Sequence, residues 1–146
     1  MQVNIVKLSS WRIPRKFVAL WMKDLTKELK KQAKHSVANK DLTIAFVKSS
    51  KMKKLNKDFR SKNKVTDILS FSGFTSGELG ELALCGEVVE KQACDHKLSN
   101  KEELGYLLIH GVLHLLGYEH EKGGKDEKEM FELQDKLFDV LRKRHL

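Results

Sequence analysis

Three histidines fall within eleven residues of an otherwise apolar stretch, His110-Gly-Val-Leu-His114-Leu-Leu-Gly-Tyr-Glu-His120. His110 and His114 are one helical turn apart and project from the same helix face. Gly117 suits a left-handed position that ends the helix and turns the chain back, bringing His120 toward the same point. A lone histidine on an apolar helix is ordinarily a hydrogen-bonded core residue. Three in register among Leu104, Leu107, Leu108, Leu113 and Leu116 leave several ring nitrogens to satisfy, and a metal ion takes three at once. The fold must therefore carry a leucine-rich helix whose C-terminal end holds a cation.

The spacing reproduces the histidine and glycine positions of the H-E-x-x-H-x-x-G-x-x-H pattern. Three neutral nitrogen donors with a fourth position left for water suit catalytic Zn²⁺, while Ni²⁺, Cu²⁺ and Fe²⁺ stay open on ligand type. A closed structural site needs a fourth protein ligand from Cys85, Cys94, Glu119 or Glu121, and the two cysteines lack C-x-x-C spacing. Both cysteines are expected to be reduced core residues. The glutamate that acts as general base in H-E-x-x-H peptidases is absent, since that position holds Gly111, so ordinary zinc-peptidase chemistry is disfavoured.

The rest of the chain divides into a strand-rich part and a helical part. Gln2 to Leu8 alternates as a strand, and Pro14 opens a helix whose apolar face is Phe17, Val18, Trp21, Leu25 and Leu29. Leu42 to Val47 is a second strand, and Ser49-Ser50 cap a short helix carrying Leu55 and Phe59. Val65 to Phe71 is a third strand, Gly73 to Gly80 a hairpin connection, and Leu82 to Val89 a returning antiparallel strand. After Glu90 the pattern is helical: Ser99 and Glu102 have capping-box spacing, and a last helix has Met130, Phe131, Leu137, Phe138 and Leu141 on one face. This predicts an α+β fold, a mixed β-sheet with helices covering one of its faces. At 146 residues with 40% apolar and 33% charged residues, one domain over 1–146 is expected, with no repeat or linker.

A formal charge of +8 favours a polyanionic partner. No apolar run reaches the ~18 residues of a bilayer span, and the start lacks a signal-peptide pattern, so a cytoplasmic home without membrane contact is expected. From Lys51 to Lys64 there are seven basic residues, Lys51, Lys53, Lys54, Lys57, Arg60, Lys62 and Lys64, against the single acid Asp58. Lysines attract phosphate non-specifically, whereas the planar Arg60 guanidinium is able to hold it at two points. Aromatic residues are 8% of the chain and do not interleave with the basic ones, so phosphate-backbone or shape recognition fits better than a base-reading module.

Leu-Asn-Lys-Asp-Phe-Arg (Leu55 to Arg60), Thr-Asp-Ile-Leu-Ser-Phe (Thr66 to Phe71), Gly-Glu-Val-Val (Gly86 to Val89), the histidine block and Glu-Met-Phe-x-x-Gln (Glu129 to Gln134) closely resemble the motifs of the YbeY family. Order, spacing and length match over nearly the whole chain. The resemblance implies a zincin-like metal site on a central helix, with His110, His114 and His120 binding one zinc per chain. It implies Arg60 as the functional arginine of the cleft, and places Asp67 and Ser70 in the family's strand motif. It further implies single-strand cleavage in 3′-end maturation of small-subunit ribosomal RNA, ribosome quality control, and the small subunit as partner. Two positions depart from the family pattern, Glu119 where aspartate is usual and Ser72 where proline is common.

The expected chemistry is metal-assisted phosphodiester hydrolysis with His114 and Arg60 as catalytic residues and Lys57, Lys62 and Lys64 holding flanking phosphates. The general base, and whether water or the RNA 2′-hydroxyl attacks, stay open. So do the cleavage site, the oligomeric state and the need for a helper protein or assembled ribosome. Two rivals accompany this reading: a metal hydrolase of a peptide or small ester, and a non-catalytic zinc-stabilised ribosome-binding factor.

Overall fold

Alternation of apolar and polar residues builds β1 (Gln2–Leu8), which pairs in parallel with β2 (Asp41–Val47) in the computed structural model of the chain. Residues 1–32, 37, 39–60, 67–118 and 124–146 are described, without the side chains of Phe59 and Arg60. Between the two strands runs α1 (Arg15–Gln32), with Phe17, Val18, Trp21, Leu25 and Leu29 all buried, as their spacing requires. The chain then passes through α2 (Ser49–Arg60) to β3 (Ile68–Ser72) and returns as β4 (Glu78–Leu84). β4 inserts between β2 and β3, giving a four-stranded sheet of order β1-β2-β4-β3, parallel except for the β3/β4 hairpin. The α+β class with a mixed sheet is the one the sequence predicts.

Strand boundaries and layering differ from the expectation, and the start of the third strand expected at Val65 and Thr66 lies outside the described residues, which show β3 from Ile68. The strand expected to run to Val89 stops at Leu84, and Val88 and Val89 belong to α3 (Gly86–His96). The loop before α1 supplies the reason. Trp11 stacks on Phe46 with ring centroids 5.6 Å apart, and its Nε1–H donates to Glu90 Oε1 at 2.8 Å. The indole sits so close over Gly86 that a Cβ there would lie 2.0 Å from the ring, so the chain bends under the tryptophan and Val89 enters the core from a helix. Packing overrides the β preference of a Val-Val pair. The connection between β3 and β4 is correspondingly shorter than expected, with β4 starting at Glu78.

The second difference concerns the layers. α4 (Asn100–Leu115) lies on the face of the sheet carrying Ile68, Leu82 and Leu84, with α1 and α5 (Gly124–His145) packed against it to form the main core. The opposite face is not bare. There α2 lays Met52 and Leu55 over Ala45, Val47, Leu69 and Ala83. Helices therefore cover most of one face and part of the other, because β2 and β4 are apolar on both sides over their C-terminal halves.

α4 begins at the capping box read from the sequence. Glu102 N–H donates to Ser99 Oγ at 3.1 Å, and Ser99 N–H donates to Glu102 Oε1 at 3.0 Å. At its other end Gly117 takes φ +98°, Gly117 N–H donates to His114 O at 3.0 Å, and Tyr118 N–H donates to Leu113 O at 3.0 Å. That pair of bonds is a Schellman closure, and it turns the chain immediately after His114.

Candidate metal centre

His110 and His114 occupy the last two turns of α4, both half-buried, with ring centroids 4.6 Å apart. Their Nε2 atoms face one another at 3.1 Å. Two nitrogens bound to one tetrahedral zinc are about 3.3 Å apart, given Zn–N bonds of about 2.0–2.1 Å. The pair is thus already at the separation that a shared ion requires. The negative end of the α4 dipole adds attraction for a cation at this position.

Gln134 fixes the first ring. It is fully buried on α5, and its Oε1 accepts a hydrogen bond from His110 Nδ1–H at 2.9 Å. An amide oxygen only accepts, so the ring proton sits on Nδ1 and the Nε2 lone pair is directed at His114, the outer-shell arrangement usual for metal-binding histidines. In the sequence Gln134 stands out only as the last residue of the Glu129–Gln134 motif, with no role attached; the second signal is a polar residue at a core position of the last helix, on the stripe of Met130, Leu137, Phe138 and Leu141.

His120, the third expected ligand, lies outside the described residues, as do Glu119, Glu121, Lys62 and Lys64. No carboxylate or thiol completes a three-ligand group among the described residues. Cys85 is buried, and its Sγ–H donates to Glu87 Oε2 at 3.1 Å; burial first, then the Glu87 carboxylate, pushes its thiol up from the ordinary value. Cys94 is exposed on α3, a correction to its expected place in the core. Its helix turns it away because Val89 and Ala93 occupy the buried stripe.

Arg60 is the last residue of α2, and Lys57 stands exposed one turn earlier, so the basic segment is in part a helix flank. Asp67 immediately precedes β3 and its Oδ1 accepts from Ile68 N–H at 2.8 Å. With its amide oriented to donate, Gln92 on α3 bridges Asp67 Oδ2 at 3.3 Å and Glu103 Oε1 at 3.2 Å. Asp67 thus ties the start of β3 to α3 and α4. Ser70 is exposed on β3, on the same face as Ile68, where α4 packs. Gly111, beside His110, points at that sheet: a Cβ there would lie 2.7 Å from both Ile68 Cδ1 and Leu82 Cδ2.

The buried Glu103 also accepts from His96 Nδ1–H at 2.9 Å, and that hydrogen bond is the main cause of a pKa raised above the ordinary 6.5. A histidine raised in the folded state contributes stability that is complete below its unfolded pKa and is lost as pH climbs through the folded one. The side chain is 57% exposed, so solvent keeps the contribution small. Thermal melts between about pH 6 and about pH 8 should show a shallow fall in Tm for the parent chain, with a smaller fall for His96→Ala.

A sequence profile of the family described as Endoribonuclease YbeY matches residues 5–142. The Endoribonuclease YbeY of Bdellovibrio bacteriovorus is 46% identical over 146 residues, covering 99% of this chain and 97% of the relative. That of Sulfurihydrogenibium is 33% identical over 145 residues, covering 96% and 94%. The solution structure of TM1509 from Thermotoga maritima superposes with a TM-score of 0.69 at 29% identity, covering 98% of this chain and 91% of that one.

Proposed function

The chain belongs to the YbeY family of endoribonucleases, and on that footing we propose that it is a zinc-dependent endoribonuclease that cuts single-stranded RNA in the maturation of the small-subunit ribosomal RNA 3′ end and in ribosome quality control. The observation that carries the metal reading is the His110–His114 pair, two Nε2 atoms 3.1 Å apart with Gln134 holding one ring in the tautomer a ligand needs. In this reading His110, His114 and His120 hold one zinc. When bound, the ion supplies Lewis-acid stabilisation of phosphoryl charge and a water of lowered pKa.

The chain's own residues do the rest. Gln134 orients His110, and the Schellman turn at Gly117 fixes the direction in which the backbone leaves His114. Arg60 neutralises charge on the scissile phosphate, and Lys57, Lys62 and Lys64 hold flanking phosphates, a reading supported by the seven basic residues between Lys51 and Lys64. A cytoplasmic setting with the small ribosomal subunit as partner fits an RNA substrate. No described helix is long and apolar enough to cross a membrane.

The peptidase rival loses its chemical basis at Gly111, where the general base of zinc peptidases would stand and where α4 instead meets the sheet. Metal content by inductively coupled plasma mass spectrometry, paired with cleavage of single-stranded RNA, tests the proposal. About one zinc per chain is expected, with Arg60→Glu losing cleavage and keeping the metal. One zinc per chain without cleavage, even with ribosomes supplied, would instead support a binding factor.

A further inference from the structure

The sheet face opposite α4 carries a concave feature of its own. Beyond the edge of α2, the paired residues Asn4, Thr43, Glu81 and Phe71 form a row across all four strands. They floor a cavity of about 500 Å³, walled by Leu55 of α2 on one side and by Ser72, Gly73 and Phe74 of the hairpin on the other. Phe74 is 99% exposed, and its backbone N–H is held by Glu78 Oε2 at 3.2 Å. Its ring stands in water at the rim of the cavity, where a planar group entering the cavity would reach it.

The charges around this cavity are sorted. Lys51, Lys53, Lys54 and Lys57 stand exposed on α2 beside the single acid Asp58, whereas the cavity itself is lined by the carboxylates of Glu81, Asp41 and Glu78; the first two make no ion pair with any described residue, and Glu78 accepts from Phe74 N–H. A polyanionic strand lying here would keep its phosphates over the lysines and away from the carboxylates. A base turned inward would meet the exposed Phe74 ring for stacking, and Glu81, Thr43 and Asn4 for hydrogen bonds. A carboxylate accepts from an exocyclic amine of cytosine, adenine or guanine, whereas uracil has no such amine. A cationic peptide would also satisfy the carboxylates, but it would face the repulsion of the α2 lysines.

We propose that this groove is an accessory subsite for an unpaired, amine-bearing base of the RNA substrate, on the sheet face opposite the histidine pair. The proposal rests on single-stranded RNA being the substrate. It makes Glu81 a specificity residue and Phe74 a stacking residue that adds affinity for any base, and gives the glycine-rich hairpin a function of its own.

Fluorescence anisotropy with labelled oligo(rC), oligo(rA) and oligo(rU) on the zinc-loaded full chain tests it, with melting temperature and zinc content as controls for fold. The parent chain should bind oligo(rC) and oligo(rA) roughly tenfold more tightly than oligo(rU), as a single good carboxylate–amine contact gives. Glu81→Ala should bring that ratio close to one, a readout insensitive to the uniform gain from losing a negative charge. Phe74→Ala should weaken all three by roughly tenfold, the loss expected of one stacked base. Unchanged ratios in Glu81→Ala, unchanged affinities in Phe74→Ala, or displacement of the oligonucleotides by an oligo-arginine peptide in a Glu81-dependent manner would each overturn the subsite. If the parent chain cleaves single-stranded RNA while both variants bind as it does, the subsite alone fails. If the parent neither binds nor cleaves RNA, the nuclease reading fails with it.

Discussion

His114→Ala is expected to lower the zinc content of the purified chain from about one ion to near zero and to abolish RNA cleavage, while the fold persists. The reason lies in where the side chain sits. His114 is half-buried in the last turn of α4, and its Nε2 lies 3.1 Å from the Nε2 of His110, so truncation removes the proposed ligand without opening the main core. A graded partner experiment separates ligation from packing. Gln134→Leu keeps side-chain volume but removes the acceptor for His110 Nδ1–H, and should weaken zinc affinity about 10- to 100-fold. Zinc titration against a competing chelator measures both variants, and far-ultraviolet circular dichroism checks the fold. Full cleavage by a verified metal-free His114→Ala chain would refute a required ion.

Much of this arrangement was legible in the residues, because the relevant signals were local. Histidines at i and i+4, a Ser99/Glu102 capping box and Gly117 three residues beyond His114 each specify backbone geometry within one or two turns, and each takes the predicted form. The failures came where long-range packing decided. Val88 and Val89 carry a strand signal that Trp11, more than seventy residues earlier in the chain, overrides by sitting on Gly86. The second helix-covered sheet face follows from a register that puts Ala45, Leu69 and Ala83 together, which no single segment reveals. Gln134 was missed for the same reason: its partner is twenty-four residues away, across the α4–α5 interface.

The groove on the opposite sheet face shows the same limit more sharply. Composition argued against base-stacking chemistry, since aromatic residues are few and do not interleave with basic ones. Strand pairing nevertheless brings Phe71 into one row with Glu81 and Thr43, and the hairpin sets Phe74 beside it. A platform assembled across strands leaves no periodic trace in the sequence, whereas one built on a single helix does.

Gly111→Glu, the substitution that would restore the peptidase general base to the histidine block, is expected to prevent folding rather than confer activity. The histidines face α5 and the helix end, so their neighbour at position 111 lies about 100° around the helix from His110, against the sheet. Even a methyl group there would sit 2.7 Å from Ile68 Cδ1 and Leu82 Cδ2, closer than carbon atoms approach. Both contacts are with the ends of flexible side chains that can turn aside, so Gly111→Ala should fall at the low end of the about 1–3 kcal/mol of overpacking, nearly offset by the roughly 1 kcal/mol that alanine gains over glycine in a helix. Glutamate adds an unpaired charge between α4 and a buried sheet, worth several kcal/mol more, and the total reaches the ~5–15 kcal/mol by which a whole domain is stable. Urea denaturation of Gly111→Ala and the soluble yield of Gly111→Glu measure the two steps. A Gly111→Glu chain that unfolds at the parent's urea midpoint would mean that this position faces the metal and not the sheet, and would reopen the peptidase reading.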